Sequence, residues 1–112
     1  MTFAETGQDA LQPIADIDRA IHAPARLMIL ALLAAVDSTD FTLLLTQTGL
    51  TRGNLASHLS KLEEVGYITV TKEFVDRVPR TLYRLSEAGQ TAVATYKANM
   101  QQVVALLSAS QK

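Results

Sequence analysis

The sequence contains no cysteine, which removes a disulfide framework, a thiolate nucleophile and any Cys-based metal site at once. Without thiols it carries no mark of its redox compartment. Aromatic residues make up only 5% of the chain and hydrophobic residues 48%, a balance typical of a globular chain rather than a disordered one. The longest apolar run, Leu27 to Val36, falls well short of the roughly 20 residues a membrane-spanning helix needs. Nor do Thr2, Phe3, Ala4 and Glu5 form the basic opening of a signal peptide. A cytoplasmic protein with no membrane partner is the expectation. Catalytic signatures are missing as well: there is no glycine-rich phosphate loop, nucleophile elbow or catalytic carboxylate pair. Glu63 and Glu64 are helix neighbours that point apart. His22 and His58 are the only histidines, too few for a zinc site. No metal, no other cofactor and no enzymatic activity are expected. A chain of 112 residues supports one domain around one core.

Strong net charge is also lacking, the total being −1. The distribution is less even. Between Leu50 and Leu85, Arg52, Lys61, Lys72, Arg77, Arg80 and Arg84 outnumber Glu63, Glu64, Glu73 and Asp76 by six to four, a local +2 that leaves −3 for the remainder. This is a modest basic surface on an acidic body, and it points only weakly to nucleic acid.

The most informative stretch runs from Leu50 to Gly66. Leu55, Leu59 and Leu62 recur at helical spacing, with Thr51 placed as N-cap and Gly66 as stop. At about 100° per residue, the opposite face carries Gly53, Asn54, Ser57, Ser60 and Lys61. Solvated helix faces are usually dressed in Glu, Lys and Gln. A low face of short donors and acceptors is what a helix needs to enter a DNA major groove. A plain amphipathic helix with an indifferent exterior is the other reading, and this helix alone leaves the two open.

Taken in order, residues 1–10 read as a loose polar tail. Leu11, Ile14, Ile17 and Ile21 are spaced for a short amphipathic helix that accepts Pro13 in its first turn and closes at His22, before Ala23-Pro24. Pro24 starts a second helix to about Val36, apolar after Arg26 and expected to be buried on most sides. Asp37 to Asp40 form a turn cluster and Phe41 a short extended residue. Thr42 is a possible cap for a third helix from Leu43 to Thr48, ended by Gly49. Two short helices joined by a glycine turn form a helix-turn-helix.

After Gly66 the period changes to two. Ile68, Val70 and Phe74 alternate with Tyr67, Thr69, Thr71 and Glu73. Asp76 to Pro79 read as a loop, and Thr81 to Leu85 as the returning strand. A hairpin behind the candidate recognition helix serves as a wing, with Arg77 or Arg80 reaching phosphates or a narrow minor groove. The plainer reading is a solvated turn whose arginines keep an edge strand from pairing with other chains. Ser86 and Glu87 suit the start of a last helix, in which Val93, Tyr96, Met100, Val103 and Leu107 advance by alternating threes and fours. That is a heptad seam longer than the domain before it, so a second copy is the simplest cover for its far half. Val93 and Tyr96 have the alternative of packing on their own first two helices.

This order of elements reaches text that resembles the MarR/ArsR-type winged helix-turn-helix transcriptional regulators, most closely a branch of small stand-alone ones. The matching residues begin with His22-Ala23-Pro24-Ala25-Arg26-Leu27, Ile29-Leu30 and Gly49-Leu50-Thr51. They continue through Gly53-Asn54-Leu55, His58-Leu59, Lys61-Leu62-Glu63 and Gly66-Tyr67. Lys72-Glu73-Phe74-Val75, Pro79-Arg80-Thr81, Tyr83-Arg84-Leu85-Ser86, Ala88-Gly89 and Tyr96 complete the set. The resemblance spans His22 to Tyr96. It implies a homodimer on a short inverted-repeat operator, with the helix around Arg52 to Lys61 in the major groove and the wing around Arg77 to Arg80 beside it. Two places depart from the pattern. Leu43 and Leu45 flank Leu44 where such proteins usually place polar residues, and Asp76 and Val78 stand where glycine and a basic residue are common. The cysteine motif of the metal-sensing variants is missing.

The expected fold is therefore α+β, mostly α: a winged helix-turn-helix with a long C-terminal dimerisation helix. A flexible tail over 1–10 precedes one domain over 11–112, divided into a helix-turn-helix (42–66), a wing hairpin (67–85) and a dimerisation helix (86–110). The expected partners are double-stranded DNA and a second copy. Thr51, Arg52, Gly53, Asn54, Ser57, His58, Lys61, Arg77 and Arg80 are the expected DNA-facing residues. Phosphate contacts would supply affinity, and Asn54 and Ser57 are the better candidates for base edges. His58 serves packing or a phosphate hydrogen bond. Val93, Tyr96, Met100, Val103 and Leu107 are the expected dimer contacts. Two further functions stay open: a small-molecule-responsive regulator with a pocket near Tyr96 and Met100, and a protein-interaction module, which the pI of about 6.1 and a spare Leu43 or Leu45 would suit.

Overall fold

The computed structural model describes residues 10–109. After a helical turn over residues 10–15 (α1) come α2 (Pro24–Ala35), β1 (Thr39–Asp40), α3 (Phe41–Thr48), α4 (Arg52–Glu64), β2 (Ile68–Val75), β3 (Val78–Leu85) and α5 (Glu87–Ala109). The strands form one antiparallel sheet in the order β1-β3-β2. This is the mostly helical winged helix expected, ending in a long helix. Of the polar tail expected over 1–10, only Ala10 lies within the described residues, and it is helical.

The first helix is shorter than its apolar spacing predicts. It stops at residue 15 because Asp18 turns the chain. The Asp18 carboxylate accepts the Ala20 N–H at 2.9 Å, and its carbonyl accepts from Ile21 and His22, the local competition that makes aspartate a turn former. Ile21 still reaches the core, fully buried, from this turn. Helix α2 begins with Pro24, whose fixed φ suits a first helical position. It buries one face only, through Ile29, Leu30 and Leu33, while Met28 and Val36 stay exposed. The expectation of burial on most sides fails because α3, α4 and the sheet cover α2 from one side.

Residues 39–40 form a strand where only a turn was expected, pairing with Tyr83 and Leu82 of β3. Asp40 then caps α3, its carboxylate accepting the Leu43 N–H at 2.8 Å, so the helix opens at Phe41 and not after Thr42. Gly49 closes α3 in the left-handed region, at φ 69°. Thr51 caps α4 by accepting the Asn54 N–H at 3.1 Å. Helix α4 ends in a Schellman arrangement: Gly66, at φ 85°, bonds back to Glu63, and Tyr67 to Leu62.

The wing is longer and tighter than expected. Its turn is Asp76-Arg77 alone, both at positive φ, as a two-residue hairpin turn requires. Val78 and Pro79, expected in the loop, pair with Val75 and Phe74. Pro79 is tolerated because β1 flanks β3 only at Leu82 and Tyr83, leaving an open edge where the missing N–H would point.

The core joins Ile21, Ile29, Leu30, Leu33, Leu44, Leu55, Leu59, Leu62 and Ile68. Of the three consecutive leucines, Leu44 is buried, Leu45 packs against this cluster and Leu43 is exposed. Helix α5 leaves the head at a close junction. Ser86 N–H donates to the Tyr67 carbonyl, Ser86 Oγ–H donates to the Gly66 carbonyl at 2.6 Å, and Gly89 N–H donates to Ser86 Oγ. A Cβ on Gly89 would stand 2.0 Å from the Tyr67 carbonyl oxygen, so only glycine fits there.

Tyr67 ties this junction to the α1–α2 turn by donating its hydroxyl to Asp18 Oδ2 at 2.5 Å. That hydrogen bond, followed by burial and the Asp18 charge, holds the phenol above its ordinary pKa of 10.0. Because the folded state favours the neutral phenol, the contribution is complete below the unfolded pKa and disappears as pH rises through the folded one. Tyr67→Phe is expected to lower stability by about 1 kcal/mol at neutral pH. In paired denaturant titrations of the two proteins, that gap should shrink above about pH 10; a gap independent of pH would show that the bond contributes nothing.

Candidate nucleic-acid interface

The leucine stripe of α4 is turned fully inward, with Leu55, Leu59 and Leu62 buried. Arg52, Gly53, Asn54, Ser57, Ser60 and Lys61 are consequently exposed on the other side, as are Thr51 and, on the wing, Arg77 and Arg80. Gly53 has nothing within 4 Å of the position a Cβ would take, which keeps the start of the helix low. Of the candidate DNA-facing residues, only His58 is half-buried. Its Nδ1 lies 3.3 Å from Arg26 Nη1, and Arg26 also donates to the Arg19 carbonyl. A guanidinium offers only donors, so in this contact Arg26 donates and Nδ1 accepts.

Arg52 lies over the Phe41 ring at 6.0 Å from its centroid, which draws the start of α4 towards the start of α3. Asp40 does the same for the wing: besides capping α3, it pairs through Oδ2 with Arg80 Nη2 at 3.5 Å. Arg77 occupies the wing tip at φ 67°, and the apolar residues beside it, Phe74, Val75 and Val78, are exposed. An open concavity of about 460 Å³ separates the wing from the start of α3, lined by Asp40, Phe41, Thr42, Val78, Pro79 and Arg80 among others.

Asp40, Phe41 and Arg26 were not singled out by the sequence reading. Asp40 was legible as an aspartate three residues before Leu43, and Arg26 as the one charge in an apolar helix. Their pairing with Arg80 and His58, 40 and 32 residues away, was not.

Along α5, Val93 and Tyr96 pack against the core cluster, and Tyr96 Oη lies 2.8 Å from His22 Nδ1. Val103 is 6% exposed within a single chain, whereas Val104 and Leu107 are exposed and Met100 is half-buried. Asn99 Nδ2 donates to the Pro13 carbonyl and so binds α1 to α5. A smaller concavity of about 290 Å³ lies beside this contact, bounded by Asp16, Asp18, Tyr67, Thr95, Tyr96 and Asn99 among others. Among the described residues no three His, Cys, Asp or Glu side chains gather as a metal site, and no described helix is long and apolar enough to cross a membrane.

Three helices around leucines, a two-stranded wing and an exposed small-residue helix between them define a DNA-binding class of domain. Residues 25–104 match the family described as Winged helix DNA-binding domain, and the chain belongs to that family. An uncharacterized protein of Methanocaldococcus jannaschii is 33% identical over 75 residues, 67% of this chain and 82% of that one. A transcriptional regulator homologue from Pyrococcus horikoshii superposes with a TM-score of 0.72 at 26% identity, covering 93% of this chain and 99% of its own. The transcriptional repressor CouR, bound to a 23-mer DNA duplex, superposes at 0.66 with 26% identity, covering 88% of this chain and 66% of its own. The resemblance to winged helix-turn-helix transcriptional regulators read from the motifs agrees with these matches.

The open space at Gly53 has a measurable consequence. Gly53→Ala should raise stability by about 0.5–1 kcal/mol, because alanine removes backbone freedom from the unfolded chain and meets no atom in the fold. A lowered denaturation midpoint would mean that the backbone there is not helical.

Proposed function

We propose that the chain is a homodimeric transcriptional regulator that reads an inverted-repeat operator, with α4 of each copy in a major groove and the wings alongside. The single observation that carries this reading is the exposed, low face of Gly53, Asn54, Ser57 and Lys61 on α4, and Arg77 and Arg80 of the wing are exposed as well. Thr51 and Arg52 stand at the entry of α4, where backbone N–H groups and a cation suit a phosphate. Asn54 and Ser57 serve base edges. The ring of His58 provides a further phosphate donor. Arg77 and Arg80 add backbone contacts, and no residue has a catalytic part.

Phosphate neutralisation predicts that duplex binding falls steeply with salt. Arg80→Ala should weaken binding to operator and random DNA alike, whereas Asn54→Ala should reduce discrimination by about 1–3 kcal/mol. Gel-shift titrations with captured genomic fragments test both. Lack of retardation at low salt would favour the protein-interaction module, and parallel losses on both kinds of DNA would overturn the division of roles.

The dimer reading rests on the far half of α5, where Val104 and Leu107 remain exposed and Met100 is half-buried. Val103 is already covered within one chain, so it serves a partner less directly than Met100. Glutamate at Met100 and Val104 should halve the mass seen by sedimentation and leave the circular dichroism unchanged. An unaltered mass would reject the α5 seam.

A further inference from the structure

Arg80 is a candidate phosphate contact, yet in the free chain it already holds an anion. The Asp40 carboxylate is divided between two tasks: Oδ1 accepts the Leu43 N–H at 2.8 Å as the cap of α3, and Oδ2 faces Arg80 Nη2 at 3.5 Å. The sheet register makes this meeting systematic. Asp40 stands opposite Leu82 on β3, two residues from Arg80 and on the same face, and Glu73 stands opposite Arg80 on the far side of that strand. The wing arginine thus contacts the Asp40 carboxylate, with Glu73 opposite it only in register. Both members of the ion pair are substantially exposed, with side-chain accessibilities of 46% and 34%, and an exposed, single-contact pair is weak. A phosphate oxygen can replace the carboxylate with a better hydrogen bond, because Arg80 can then engage it with two N–H groups.

We propose that Asp40 is a phosphate surrogate: it occupies Arg80 in the unbound protein and yields it to the DNA backbone, setting how much the wing contributes to affinity. The inference rests on the DNA-binding reading above and adds a residue that carries the same negative charge as the nucleic acid. An anion of this kind penalises contacts in which the wing is not fully seated, so it suppresses binding to unrelated sequence more than binding to the operator. Asp40 is a positioning and specificity residue, and its cap keeps that role separable from folding.

Asp40→Asn is the discriminating variant. Its side-chain oxygen still accepts from Leu43, so the melting temperature should stay close to that of the parent protein, while Arg80 is released. Binding to random duplex should tighten about three- to fivefold per protomer at low salt, and the log–log salt slope should steepen by about 0.9 for each phosphate newly engaged. The operator-to-random ratio should fall. Repeating the substitution in an Arg80→Ala background should abolish most of the gain, since the surrogate then has nothing to hold. Equal gains in both backgrounds would reduce Asp40 to a simple like-charge repulsion and overturn the proposal. So would an unchanged affinity and slope in Asp40→Asn when the parent protein binds DNA. Failure of the parent and of every variant to bind would instead remove the DNA-binding reading, and this inference with it.

Discussion

The structure depends on the junction at which α4 ends, the wing begins and closes, and α5 departs. Gly66 and Tyr67 turn the chain out of α4, and Ser86 and Gly89 receive it at the other end of the hairpin through three hydrogen bonds. The Gly89 position leaves no room for a side chain against the Tyr67 carbonyl. That close approach fixes the angle at which about 35 Å of helix, at 1.5 Å per residue, leaves the head. Where α5 points decides where a second head would stand in the proposed dimer, so the spacing of its two α4 helices would originate in this backbone contact.

A second layer of contacts holds the side chains proposed to meet DNA without joining them. Arg26 from α2 turns the His58 ring, Phe41 from α3 holds Arg52, and Asp40 holds Arg80. Each partner belongs to an element that sits behind the proposed interface. The contacts are individually weak, as exposed polar contacts are, yet each limits the rotamers of a long side chain and so lowers the entropy lost on binding. The residues nearest the wing tip, Phe74, Val75 and Val78, are apolar and exposed. At the tip the cations are therefore Arg77 and Arg80, the second of them shared with Asp40, while Lys72 and Arg84 lie further back on the arms.

Much of the fold was legible because it rests on local rules. Leucines at helical spacing with Thr51 before and Gly66 after specify α4; period-two alternation specifies the wing; Ser86 and Glu87 open α5. The misreadings have local causes too. Asp18 terminated a helix that the apolar spacing would have continued to His22. Asp40 outcompeted Thr42 as a cap. Pro79 looked like a loop residue because its tolerance depends on an edge that β1 leaves uncovered, which is a property of the sheet and not of the residue.

Periodicity and capping act within a dozen residues, so the burial of one face of α4, and hence the identity of its outer face, can be read along the chain. The absence of thiols is equally plain there. That Asp40 lies beside Arg80, that Arg26 lies beside His58 and that one chain already covers Val103 emerges only from the folded arrangement. Those meetings join residues 32 to 40 positions apart or reach across to another element. They follow from sheet register and helix packing, which are set by the whole core at once and leave no signature in any short stretch of chain.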